Sequence, residues 1–144
     1  MKYVFLVFTF FWILTTHAQD WQTNFDIAQK ETIVQNKTLI LVFSGSDWCA
    51  PCIKLDKEIW QSEEFKTYAA DNYVLYKADF PRRKGNKLSE SLTDQNKTLA
   101  EKYNIKGYFP LVLVLNKKGE ILGETGYQKV KPKAYISVLN SFID

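Results

Sequence analysis

Two cysteines stand three positions apart in Trp48-Cys49-Ala50-Pro51-Cys52, and the chain has no others. A pair at this spacing suits thiol–disulfide exchange. One thiolate attacks a partner disulfide, and the second sulfur, less than a helical turn away, attacks the mixed disulfide and releases the partner reduced. Two other uses compete. A permanent bridge over so short a loop constrains the unfolded chain little, so it is a weak staple. A structural zinc site wants about four Cys, His or carboxylate ligands, and the sole histidine, His17, lies near the N-terminus.

The elements around the pair decide which sulfur attacks. Thr38 to Phe43 is an unbroken apolar run ending at Ser44-Gly45-Ser46, the pattern of a parallel strand buried on both faces. From Cys49 to about Trp60, Ile53, Leu55 and Ile59 alternate with Lys54, Asp56, Lys57 and Glu58, with Pro51 in the first turn, where its missing N–H costs least. The cysteines therefore open a helix. Its first turn offers unpaired N–H groups and the positive end of the helix dipole, which favour a thiolate. This makes Cys49 the expected nucleophile and Cys52 the resolving thiol.

Upstream, Trp21, Phe25 and Ala28 recur at helical spacing, with Thr23 and Asp26 as a capping box for a helix to about Asn36. Ser62 caps a helix continuing to Asp71-Asn72, and Tyr73 to Ala78 is a second strand. Pro81 to Lys87 is a basic loop, better explained by solvation than by an acidic partner. A helix follows with Leu88, Leu92, Leu99, Ala100 and Tyr103 on one face. Leu111–Leu115, the turn Asn116–Gly119 and Ile121–Thr125 predict a hairpin, and Pro132 opens a last helix with Tyr135, Val138, Leu139 and Phe142 inward.

With 144 residues, 46% of them hydrophobic, the chain suits one globular domain. Its 19 basic and 16 acidic residues are scattered, which argues against a nucleic-acid partner. Met1-Lys2, the apolar run Tyr3 to Leu14 and the close at Ala18 form a secretory signal over 1–18. The run is short of the roughly 20 residues a spanning helix needs. The expectation is a cleaved signal and a mature domain over 19–144, exported out of the reducing cytosol to where a disulfide persists, and without membrane insertion.

The Trp48–Cys52 motif after a hydrophobic strand resembles the active site of the thioredoxin family. The similarity extends to Tyr103-Asn104-Ile105-Lys106-Gly107-Tyr108-Phe109-Pro110-Leu111-Val112-Leu113 and covers essentially the whole chain from about Trp21. The resemblance implies an α/β thioredoxin-like fold, a central mixed β-sheet flanked by helices on both faces. It implies a cis bond before Pro110, beside the cysteine pair, and a Phe109 backbone that pairs with an extended substrate. Trp48, Tyr108 and the Gly126-Tyr127 turn would form an apolar rim. For these aromatics the alternative is core packing, which suits Tyr108 better than Trp48. The expected site is thus Cys49 and Cys52 as catalytic residues with Trp48, Phe109 and Pro110 against substrate, and neither metal nor cofactor.

One position departs from the family. Six residues before the nucleophile, where thioredoxins carry a buried acid that helps move the second cysteine's proton, this chain has Phe43. Asp79 and Lys77 are the candidate substitutes, while Asp47 acting by charge alone would raise the thiol pKa. Ala50-Pro51 is close to the Gly-Pro of reducing thioredoxins, so the expectation is an exported, periplasmic reductase or isomerase. It would act as a monomer on cysteine-containing proteins and draw electrons from an upstream, membrane-bound thiol donor. The alternative is a non-catalytic peptide-binding or chaperone-like module. A dedicated maturation factor is a narrower option.

Overall fold

The computed structural model describes residues 20–143, so the signal read over 1–18 lies outside the described residues. Five strands form one sheet in the order β1-β3-β2-β4-β5. They are β1 (Trp21–Gln22), β2 (Thr38–Ser44), β3 (Tyr73–Asp79), β4 (Leu111–Leu115) and β5 (Ile121–Thr125). β3 runs parallel to both β1 and β2, while β4 is antiparallel to β2 and β5. The sheet is mixed, as expected.

Alternation along the strands divides the core into two layers. Leu39, Leu41 and Phe43 join Val74, Tyr76, Ala78, Leu111, Leu113 and Leu115 beneath α1 (Phe25–Val34) and α4 (Glu90–Tyr103). Ile40 and Val42 join Leu75, Val112 and Val114 beneath α2 (Ala50–Leu55), α3 (Glu63–Asn72) and α5 (Pro132–Asn140). Because both faces of β2 are covered, its apolar run needs no polar break. Trp60 anchors the second layer, with Trp21, Phe65 and Tyr135 rings at 5.9, 4.6 and 5.4 Å.

Several local expectations change. Trp21 belongs to β1, paired with Leu75, rather than to the first helix. That helix is capped by Asn24, whose side chain accepts from Ile27 N, in place of Thr23, and it ends at Val34. The helix starting at the cysteines is α-helical only to Leu55. From Asp56 to Trp60 it widens into a π turn closed by Gln61 N to Asp56 O at 2.9 Å, and the consecutive Ile59 and Trp60 are both buried. In α5 the buried set is Tyr135, Ile136 and Leu139, with Val138 only half-covered. Ser62 caps α3 as expected, through Phe65 N.

Candidate active site

β2 delivers the chain to the cysteines through a tight passage at Gly45. Backbone N–H groups of Trp48 and Cys49 both donate to Gly45 O, at 3.2 and 2.9 Å. The Trp48 indole packs directly against the glycine: a Cβ there would stand 2.3 Å from its ring carbon Cε2. Cys49 is the N-cap of α2, with extended backbone, and its Sγ accepts the N–H of Cys52 at 3.3 Å. A sulfur therefore occupies the position where a capping oxygen ordinarily sits. Pro51, in the first turn, has no N–H to lose.

Cys49 and Cys52 are joined in a disulfide with Cα atoms 5.2 Å apart. Both residues are nearly covered, at 5% and 3% exposure. Phe109 and Pro110 lie on the facing loop, and the bond between them is cis. The Phe109 ring packs against Trp48 at 5.4 Å and against Phe80 at 5.5 Å. The fold thus brings the two sequence-distant halves of the expected site together. Gly126 closes on the same place, since a Cβ on it would approach Pro110 O to 3.3 Å. Its carbonyl is held by Tyr135 Oη at 2.8 Å, and Tyr127 Oη donates to Glu58 at 2.7 Å.

Tyr108 contradicts the core-packing expectation, being 54% exposed. Its backbone, not its ring, is what the fold holds. Buried Asn104 donates to Tyr108 O and accepts from Tyr108 N, both at 2.9 Å, while Gly107 takes a positive φ of 68°. Such left-handed backbone is cheap only for glycine. Trp48 is instead fixed on several sides. Its Nε1 donates to Phe80 O at 2.7 Å, and the Arg82 guanidinium lies 3.8 Å over its ring.

The proton acceptor expected from Asp79 or Lys77 does not materialise in their contacts. Asp79 is occupied by Ser46, whose backbone N–H and hydroxyl both donate to it. Lys77 points its ammonium at Asp56, with which it pairs at 2.8 Å. Phe43 is fully buried among apolar side chains.

Asp47 has a role that the sequence reading missed. Its carboxylate accepts from Arg82 N, Arg83 N and Asn86 Nδ2 at 2.9, 2.9 and 3.0 Å. The Arg82 N–H, chiefly, holds its carboxyl below the usual range against some desolvation, with Asn86 and Arg83 adding. Its charge is directed at a loop rather than at the thiol. The clue was its residue type, since Asp side chains readily bind backbone amides in turns. Among the described residues no three His, Cys, Asp or Glu side chains gather to hold a metal ion.

Comparisons with known proteins agree with this architecture. A family model described as a thioredoxin-like domain matches residues 25–143. The disulfide bond reductase DsbH of Chlamydia pneumoniae is 34% identical over 106 residues, which cover 74% of this chain and 62% of that protein. The thioredoxin-related protein DsbJ of the same organism is 27% identical over 101 residues, 70% of this chain but only 28% of its own length. The chain therefore spans less than two thirds of either curated relative. A solved structure titled DsbH oxidoreductase superposes with a TM-score of 0.79 at 30% identity, covering 86% of this chain and 83% of that one. With its family model matching from α1 to beyond α5, the chain belongs to the thioredoxin-like family.

Proposed function

We propose that the chain is a thiol–disulfide oxidoreductase that acts outside the cytoplasm as a protein-disulfide reductase or isomerase. The observation that carries this reading is Cys49 Sγ in the capping position of α2, bonded to Cys52 and within reach of its N–H. In the reduced protein that N–H and the helix dipole favour the Cys49 thiolate. The thiolate attacks a substrate disulfide, expelling one substrate thiolate and leaving a mixed disulfide. Cys52, losing its proton, attacks Cys49 Sγ and expels the second substrate thiolate. Two electrons pass to the substrate, two protons complete its thiols, and the Cys49–Cys52 disulfide remains for an upstream thiol donor to reduce.

Pro110 and the backbone of Phe109 are assigned to the substrate strand, with Trp48 as the adjoining wall. Backbone pairing of this kind accepts many sequences. The direction of electron flow follows from Ala50-Pro51, which supplies no cation to stabilise the thiolate further. Export rests on the signal pattern over 1–18, with the mature domain following from 19. Among the described residues no helix is long and apolar enough to cross a membrane.

The test is the reduction potential, measured against glutathione or dithiothreitol, together with insulin reduction by the reduced protein. A potential near the reducing thioredoxins, about −270 mV, with insulin reduction supports the proposal. One near the strong periplasmic oxidants, about −120 mV, overturns the direction. Full insulin reduction by Cys49→Ser would place catalysis elsewhere, and no reduction by the wild-type protein would leave a peptide-binding module instead.

A further inference from the structure

The basic loop after β3 is built onto the cysteine end of the molecule. Asp47 receives the backbone N–H groups of Arg82 and Arg83 and the Asn86 amide. In return, Phe80 O receives the Trp48 indole, and Asp79 receives Ser46. A short 3₁₀ turn, Lys84–Asn86, tightens the loop, with Asn86 N donating to Arg83 O at 3.0 Å. The cations at the loop's tip therefore project from a fixed backbone. One of them, Arg82, covers the residue preceding Cys49.

Arg82, Arg83, Lys84 and Lys87 are all exposed, and none forms an ion pair among the described residues. Across residues 45–48 and 79–87, these four cations face only two carboxylates, Asp47 and Asp79. Both carboxylates direct their oxygens at internal donors. The patch occupies one loop, an extent suited to a few carboxylates rather than to a polyanion's backbone.

We propose that this loop docks an acidic segment flanking the target disulfide of the protein substrate, so that acidic substrates are reduced faster. The proposal rests on the redox reading of the site and adds its substrate class. Surface cations of this kind act mainly by steering encounter, and salt screens them. Holding the loop in advance removes part of the ordering cost that a mobile loop would incur on binding.

The test compares two disulfide-linked peptides, identical except for Asp and Glu or Ser and Asn beside the cysteines, in stopped-flow reduction. The wild-type protein should reduce the acidic peptide about tenfold faster at low salt, a preference shrinking to about twofold near 0.2 M salt. Arg83→Gln with Lys84→Gln and Lys87→Gln should bring that ratio close to one. The Asp47 clasp survives in this variant because its donors, the Arg82 and Arg83 main-chain N–H groups and the Asn86 amide, are all retained. Lys117→Gln with Lys118→Gln, at the far end of the sheet, should keep the wild-type ratio. Replacing the same three loop cations by Glu should reverse the preference toward a Lys-flanked peptide.

A wild-type ratio near one, or a ratio indifferent to the loop charges, overturns the proposal. A labelled, cysteine-free version of each peptide, followed by fluorescence anisotropy, needs no turnover. Loop-dependent preference for the acidic one, without reduction of either disulfide peptide, supports docking while the redox reading fails. Equal affinity, or loop-dependent binding to anionic vesicles alone, overturns the docking.

Discussion

At the end of the sheet that carries the cysteines, side chains bind main chain across 32 to 36 residues of sequence. At the opposite end, the Asn116–Gly119 turn closes largely on itself. Asn116 N donates to Glu120 O, Gly119 N to Asn116 O, and the Asn116 side chain accepts from Lys118 N and Glu120 N. Its main outside contact on the main chain is Tyr103 Oη donating to Gly119 O. A turn that joins neighbouring strands is held by the strands. The cysteine loop joins a strand to a helix on another layer, and its Trp48 packs against Phe109 from a separate part of the chain. The extra hydrogen bonds lie where position matters to chemistry.

The largest expected effect on this comparison is Cys49→Ser, which should reduce insulin turnover to the assay background while leaving the melting temperature of the reduced protein nearly unchanged. The matching Cys52→Ser variant should accumulate mixed disulfide with substrate, visible by mass. Next comes Gly45→Ala. Its methyl would collide with the Trp48 ring, costing about 1–3 kcal/mol in denaturant unfolding, and displacement of the adjacent sulfur should slow disulfide exchange about tenfold. A full-speed enzyme with a displaced Trp48 would show that the fixed ring is not needed.

Asp47→Asn gives a local effect. Since the folded carboxyl titrates below its ordinary value, its contribution is complete above the unfolded pKa of about 3.9 and fades as pH falls through the lower, folded value. Protection of the Arg82 and Arg83 amides from hydrogen exchange should therefore persist in wild type down to below pH 4 or so and drop in stronger acid. In Asp47→Asn it should be weakened throughout. The smallest effect on chemistry is expected from Asn116→Ala at the far turn, with about 1 kcal/mol of stability lost and the rate of disulfide exchange unchanged. A rate change there would erase the distinction between the two ends.

The same distinction explains how much was legible in the sequence. β2, the Ser62 cap and the β4–β5 hairpin are written in short local patterns: an apolar run, a capping oxygen, a glycine-bearing polar turn between two strand segments. The cysteine pair was legible for the same reason, since a strand end, two sulfurs and Pro51 lie within a few residues. β1 was not, because Trp21 becomes a strand only through pairing with Leu75, far away in sequence. The choice of Asn24 over Thr23 as cap lay between adjacent residues of similar capping chemistry. Asp47 read as a charge beside a thiol, and only the folded loop turns it into a clasp. Tyr108 read as core because it is aromatic, yet Asn104 holds its backbone and leaves the ring outside.

The most direct test of the central claim is the pH dependence of Cys49 alkylation by iodoacetamide in the reduced protein, resolved from Cys52 by peptide mass analysis. A nucleophile favoured by the start of α2 should react with a midpoint clearly below the free-cysteine value of about 8.5. A midpoint at or above that value, or Cys52 reacting first, would contradict the account.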